Sequence, residues 1–349
     1  MRNLKIKKVV IVQAKNYGDL LLSTSVENAL RAMFPDVRVC WVVRDGAMPV
    51  ISHLPSTAAV YSGTFKFLDL FLLAFRIKRQ VRTVDLFLDL HGSRRAGFLS
   101  CLIRASHSVR IQGARSALFG LKVSEASFQR SNDERSTVEK NLDCLRSIGL
   151  EVPSSSQHPT IEGFAPSKVI ERFELSRDQY LVVHPGARWM FKSLNQNQWV
   201  EIVDYLAKRF GVPVIISGDG SELEERLCRS IAAQCESTSK ILNVCGRLSI
   251  ADLAELINSA KFFVGVDSFA SHIANAASTP GIVFFGPTKD HVWGPPIDSA
   301  VDLIVSDRHP CRPCDRDGCG GSKISDCLVD LSIEEIIAWI EPKISKVLS

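Results

Sequence analysis

A chain of 349 residues is long for one hydrophobic core, and 46% hydrophobic content supplies enough apolar side chains for two domains of ordinary size. The net charge of +4 hides a split: residues 1–175 hold 25 Lys and Arg against 16 Asp and Glu, residues 176–349 hold 17 against 22. The first half therefore suits an acidic partner, such as a phosphorylated substrate or an anionic membrane surface, whereas nucleic acid is disfavoured because no aromatics interleave with the basic residues.

The chain order alternates apolar strand-like runs with helical patterns, which points to parallel α/β units. Met1–Lys8 is charged and Val9–Val12 is too short for a signal peptide, so a cytoplasmic protein is expected. The first half reads as strand Lys8–Ala14, helix Leu21–Met33, strand Val37–Val43 and a weaker strand Ala58–Tyr61. A long helix, Thr64–Val81, then leads to strand Asp85–Asp89. Within it the apolar stretch Phe65–Phe75 is interrupted by Lys66 and Asp69, which rules out a membrane span. Val152–Pro166, with Pro153, Pro159, Pro166 and the run Ser154–Ser156, reads as a linker. Beyond it come strand Tyr180–His184, helix Gln196–Phe210, strand Pro213–Ser217, helix Ser221–Gln234 and strand Ile241–Val244. Helix Ile250–Ala260 follows, with Ser249 and Asp252 as a capping box, then strand Phe262–Val266, a short helix from Ser268 and strand Gly281–Phe285. The expected division is 1–165, 166–330 and a final helix, Ile333–Val347, able to pack back on the first domain. Two doubly wound domains place ligands in a cleft between the carboxyl ends of their strands.

Four groups of residues carry chemistry. Asn16-Tyr17-Gly18-Asp19 follows the first strand; Gly18 lets backbone approach a ligand, and Asp19 is either an N-capping aspartate or a carboxylate able to take a proton from an acceptor hydroxyl. His184-Pro185-Gly186-Ala187-Arg188-Trp189-Met190-Phe191-Lys192 leaves a strand with two cations suited to a diphosphate. Gly265-Val266-Asp267-Ser268-Phe269-Ala270-Ser271-His272 passes from a buried strand into a tightly packed helix, whose first N–H groups offer an anion site, and Gly286-Pro287-Thr288 closes the same pocket. The plainer reading there is a capped core helix with a satisfied histidine. Finally, Cys311-x2-Cys314-x4-Cys319-x7-Cys327 lies among glycines; its spacing leaves open tetrahedral zinc, reduced thiols or an occasional disulfide. The other six cysteines read as reduced core residues. There is no GxGxxG after a strand, no Walker A sequence, no serine elbow and no HExxH, which disfavours dehydrogenase, P-loop and hydrolase readings.

Together these motifs resemble the lipopolysaccharide core heptosyltransferases of glycosyltransferase family 9. The matching residues are Gly18-Asp19-Leu20-Leu21, His184-Pro185-Gly186 with Arg188 and Lys192, Gly265-Val266-Asp267-Ser268 with His272, and Phe285-Gly286-Pro287-Thr288 with Trp293 and Pro295. Their order and spacing agree from about residue 8 to residue 330, and Gly318-Cys319-Gly320-Gly321-Ser322-Lys323 is most similar to the heptosyltransferase III branch. The resemblance implies a GT-B fold of two Rossmann-like domains facing across a cleft, and inverting transfer of heptose from ADP-heptose without cofactor or metal. The implied acceptor is a lipid-linked, phosphorylated oligosaccharide, with the enzyme peripheral at the cytoplasmic face of the inner membrane. Carried over by position, Asp19 is the base beside Gly18, while Lys192 and the helix start Ser268–His272 hold the diphosphate. Asp267 shapes the donor pocket, with Gly186, Ala187 and Arg188 alongside, and Glu224, or Glu222 in another alignment, meets the nucleoside. Phe269 stands where the family has glycine, and Gly186-Ala187 replaces a hydroxyl pair found in some members. The alternatives are heptosyltransferase I or II, another nucleotide-sugar transferase of this fold, a catalytically silent nucleotide-sugar-binding module, and a zinc-dependent interaction protein.

Overall fold

A computed structural model describes residues 5–63, 66–111, 117–118, 121–122, 126–128, 134–154, 158–296 and 298–348. The chain divides into two compact units, Met1–Ala165 and Pro166–Ser349. The first contains β1 (Lys8–Gln13), α1 (Tyr17–Leu22), α2 (Thr24–Met33), β2 (Arg38–Arg44), β3 (Thr57–Gly63), α3 (Phe67–Val81), β4 (Leu86–Asp89) and α4 (Arg94–Ile103). It continues with β5 (His107–Ile111), β6 (Ala117–Leu118), β7 (Leu121–Lys122), β8 (Ala126–Phe128) and α5 (Thr137–Arg146). Its main sheet is parallel, in the order β3-β2-β1-β4-β5-β8, with β6 and β7 forming a separate antiparallel pair. Val9 to Val12 are buried on both faces, so β1 is a continuous apolar run rather than an alternating one.

The second unit runs α6 (Val169–Arg172), β9 (Leu181–His184), α7 (Gln196–Phe210), β10 (Val214–Ile216), α8 (Glu222–Gln234), β11 (Ile241–Asn243), α9 (Ile250–Asn258) and β12 (Phe262–Val266). After these come α10 (Phe269–Ala276), β13 (Gly281–Phe285), α11 (Asp290–Trp293), β14 (Val301–Val305), α12 (Asp326–Val329) and α13 (Ile333–Leu348). Its sheet is parallel throughout, in the order β11-β10-β9-β12-β13-β14. Both orders are the doubly wound 3-2-1-4-5-6 pattern, which reverses between the first and fourth strands of each unit and opens a crevice there at the strands' carboxyl ends. Each unit is Rossmann-like, and the fold class is GT-B.

Two expectations are corrected, and the final helix gains a described contact. The single helix Leu21–Met33 is two helices, because the Ser23, Thr24 and Ser25 hydroxyls all bond back to the carbonyls of Asp19, Leu21 and Leu22 and break the ladder at Ser23. The end of the expected linker is docked on the first unit: Thr160 N–H donates to Thr24 Oγ1 at 3.0 Å, and His53 N–H to the Gly163 carbonyl at 3.0 Å. A side chain at Gly163 would strike the Val50 carbonyl, so the chain is pressed directly onto backbone there. The final helix belongs to the second unit. Ile336, Ile340 and Ile344 repeat at the spacing of one helical face and are buried in that unit's core with Trp199, Ile202 and Phe284.

Candidate functional site

In the second unit the loops after four neighbouring strands carry the residues that sequence reasoning singled out. The loop after β9 ends in a single turn of 3-10 helix, Met190–Lys192, and Lys192 Nζ lies 2.6 Å from Asp267 Oδ2, at the end of β12. Thr288, after β13, donates its hydroxyl to the same oxygen at 2.7 Å. Asp267 is buried, so its charge is held by these two partners rather than by water. Ser268 opens α10, and its backbone N–H is taken by the Ser271 hydroxyl at 3.2 Å. The Ser268 hydroxyl is buried with no hydrogen-bond partner, a polar group left for something else to meet. Phe269 occupies the first helical position, and His272 is buried one turn on.

Glu224 comes from the first turn of α8 and is buried; its Oε2 accepts the Asp219 N–H at 2.7 Å. Burial raises its carboxyl to about 7, with the nearby Asp219 charge adding to the rise and the Asp219 N–H opposing it. Gly186 lies directly against it: a Cβ there would stand 2.5 Å from Glu224 Cδ. Glu222, two residues earlier on the same helix, is exposed and pairs with Arg226. Ala187 is buried, whereas Arg188 is exposed with its guanidinium 5.4 Å from the Trp189 ring centre. His184 is fully buried and bonds Ser217 across to β10 at 2.9 Å. Burial lowers it to about 4, so it is a neutral tie between strands at pH 7.

The cysteine-rich segment braces these loops. Ser325 donates to the Phe191 carbonyl at 2.6 Å, beside Lys192, and Asp315 N–H to the Pro287 carbonyl at 2.8 Å, beside Thr288. Gly286 makes room for Leu328, whose Cδ1 would lie 2.5 Å from a Cβ. All four cysteines are free thiols, and among the described residues no group of three or more His, Cys, Asp or Glu is arranged to hold a metal ion.

In the first unit Asp19 lies at the third position of α1, in its first turn, and Asn16 occupies the N-cap position without a side-chain capping hydrogen bond. Asp19 and Lys15 are both close enough to His91 to act on its titration. Burial and Lys15 lower the imidazole, Asp19 opposes them, and the ring stays neutral at pH 7. His91 follows β4, so Asp19 and His91 flank the switch point between β1 and β4. Beside them opens a pocket of about 540 Å³ lined by Arg44, Asp45, His91, Ser93, Arg94 and Arg95, among others. Asp89 and Arg110, a buried pair 3.1 Å apart, hold its floor: Asp89 accepts the His91 and Gly92 N–H groups, and Arg110 donates to the Ser93 carbonyl. Arg94 and Arg95 open α4 with no acidic residue in its first turn, against the preference of a helix N-terminus. Tyr17 stacks under Arg44, whose guanidinium carbon lies 4.4 Å from the ring centre.

Sequence reasoning missed His91 and the three arginines. The signal was present in Asp89-Leu90-His91-Gly92-Ser93-Arg94-Arg95, a buried strand ending in a glycine turn with two cations at a helix start.

Comparison with known proteins adds family membership. The pattern of glycosyltransferase family 9 (heptosyltransferase) matches residues 74–324, well over half of the chain. The chain belongs to this family. As a family 9 member it is a glycosyltransferase. It is similar to lipopolysaccharide heptosyltransferase 3 of Escherichia coli K12, 29% identical over 304 residues, covering 82% of this chain and 85% of that protein. Among solved structures, a family 9 glycosyltransferase from Veillonella parvula superposes with a TM-score of 0.80 at 16% identity over 98% of both chains. The E. coli heptosyltransferase WaaC with ADP gives 0.72 at 20% identity, covering 96% of this chain and 99% of that one. At these identities the structural likeness speaks for the fold that the family 9 member shares.

Proposed function

We propose that this family 9 glycosyltransferase moves heptose from ADP-heptose onto the inner core of lipopolysaccharide by an inverting, metal-independent reaction, adding the side-branch heptose. The observation that carries the donor reading is the Lys192–Asp267–Thr288 cluster at the switch point of the second unit, next in the chain to the unpartnered Ser268 hydroxyl. A cation aimed by a buried carboxylate, a free hydroxyl and a helix start are what a diphosphate needs. In this reading Glu224, which Gly186 backs, meets nucleoside hydroxyls. The 29% identity to a heptosyltransferase 3 and the cysteine-containing tail support the side-branch acceptor.

In this reading Asp19 takes the proton from an acceptor hydroxyl as its oxygen attacks the anomeric carbon. The bond to ADP breaks on the opposite face, which inverts the centre. Lys192, Arg188 and the start of α10 meet the charge that grows on the leaving diphosphate. Arg44, Arg94 and Arg95 receive a phosphate of the lipid-linked acceptor, and the unfavourable charge of two arginines at a helix start is relieved when that anion binds. The enzyme works at the cytoplasmic face of the inner membrane, where such an acceptor is exposed. Incubation with ADP-heptose and defined truncated core acceptors, read by product mass, tests this. A mass gain of one heptose only on the acceptor lacking the side branch supports it, and no gain on any core acceptor overturns it.

A further inference from the structure

Helix α3 carries two apolar stripes where a surface helix needs one. Leu70, Leu73, Ala74, Ile77 and Val81 face inward and are buried in the first unit's core. Leu68, Phe71, Leu72 and Phe75 repeat at the same spacing on the outer side, and they are 80%, 49%, 60% and 64% exposed. They account for four of the eight large exposed hydrophobic residues among those described, gathered on two turns of one helix. The outer face then turns cationic: Arg76, Lys78 and Arg79 are exposed, Arg82 follows the last turn, and Lys66 precedes the first. Asp69 is the one acidic residue of the helix.

We infer that the outer face of α3 is a docking surface for an anionic phospholipid bilayer. It deepens the reading of a lipid-linked acceptor, on which it rests, by naming the surface that brings the enzyme to it. Large apolar side chains backed by a basic rim are the composition of a helix that lies in the headgroup region, with the cations meeting lipid phosphates. A protein partner that covered the stripe would bury five cations with it, whereas an anionic lipid surface satisfies both. No helix among the described residues is long and apolar enough to cross a membrane, so the contact is interfacial. The placement is also productive. Phe71 meets Phe98 of α4 edge to face, with ring centres 5.4 Å apart, and α4 carries Arg94 and Arg95 at its start. The docking helix is thus packed on the helix that lines the arginine pocket.

The test is flotation of the purified protein with phosphatidylcholine vesicles, with and without phosphatidylglycerol, and no donor or acceptor present. The wild type is expected to float with the anionic vesicles. A Leu68→Ser, Leu72→Ser, Phe75→Ser variant is expected to lose roughly a hundredfold in partition. It should keep its melting temperature and its transfer rate on a water-soluble, deacylated acceptor. A Lys78→Glu, Arg79→Glu variant is expected to lose the preference for anionic over neutral vesicles. Equal partition of wild type and serine variant overturns the inference. So does a wild type that fails to float and sediments as a dimer that the serine variant splits, which would give the face to a second copy. Because vesicle binding is read without transfer, its failure leaves the proposed reaction standing, and failure of transfer leaves the docking result standing.

Discussion

Lys192 and Asp267 sit 2.6 Å apart on loops from adjacent strands, and the carboxylate that aims the lysine is itself fixed by the Thr288 hydroxyl. The lysine is therefore held in place before any ligand arrives. Lys192→Ala is expected to weaken ADP binding about ten- to a hundredfold, the worth of one charge-assisted contact, and to reduce turnover further because charge on the diphosphate grows toward the transition state. Asp267→Asn loosens the lysine, so the double variant should cost less than the two single variants added together. Calorimetry with ADP and steady-state kinetics measure both, and unchanged ADP affinity in Lys192→Ala would remove residues 186–192 from the phosphate site.

Asp19→Asn is expected to abolish transfer while leaving ADP affinity unaltered. Asn16 holds the N-cap position, and the amide keeps the shape of the Asp19 side chain in the first turn while losing the ability to accept a proton. Activity within about threefold of wild type would take Asp19 out of the chemistry.

Glu224 makes stability depend on pH in a definite direction. Its carboxyl is raised to about 7 in the folded protein from an ordinary 4.5. Below the lower value both states are protonated and nothing is lost. Between the two the unfolded chain ionises first, so stability falls as pH rises and levels off above about 7. Glu224→Gln removes this titration, and its stability relative to wild type should grow across that window, by up to roughly 3 kcal/mol. Denaturant unfolding near pH 5 and near pH 8 would show it; an equal difference at both would mean the carboxyl does not titrate there. Gly186→Ala, which drives a methyl against the same carboxyl, should raise donor KM at either pH.

Arg94→Ala and Arg95→Ala should raise KM for a phosphorylated acceptor and leave ADP affinity alone. With an acceptor stripped of its phosphates the variants and wild type should converge. If the effect persists on the dephosphorylated acceptor, the pocket does not read phosphate.

In the proposed reaction side-chain cations take the place of a metal on the diphosphate, so chelators are expected to leave transfer intact. Activity lost to EDTA and restored by magnesium would sink the metal-free reaction. Recovery with zinc alone would point to Cys311, Cys314, Cys319 and Cys327.

Most of the second unit was legible, because its central strands are apolar runs and its long helices start on good caps, but β14, whose apolar run is interrupted by Asp302, and the four-residue helices α6, α11 and α12 were not read. Asn195 and Gln198 close a capping box, as do Ser249 and Asp252. The first unit was harder. The break at Ser23 depends on three hydroxyls bonding backward, and α4 begins with two arginines where acidic residues would announce a helix start. Short strands such as Ala126–Phe128 carry too few residues for a period. The proposed donor residues near Gly186 and Ser268 were visible because a buried strand gives way there to glycine or serine. The Lys192–Asp267 pairing was not, since it joins positions 75 apart through sheet order. The apolar stripe of the last helix tells that it packs, and says nothing of what it packs on.

That helix bears on how the protein is made. Gln198 of α7 reaches the carbonyls of Leu328, Val329 and Leu331 with its side-chain amide, and Ile336, Ile340 and Ile344 complete the core against α7 and β13. The second unit therefore cannot close until residues 333–347 have left the ribosome. The last helix of the first unit, by contrast, ends at Arg146, with its sheet laid down before it. Synthesis proceeds at a pace of about 5–20 residues each second, so the second unit spends on the order of ten seconds with exposed apolar strands waiting for its last helix. A chain truncated near residue 330 would carry a finished first unit and an open second one.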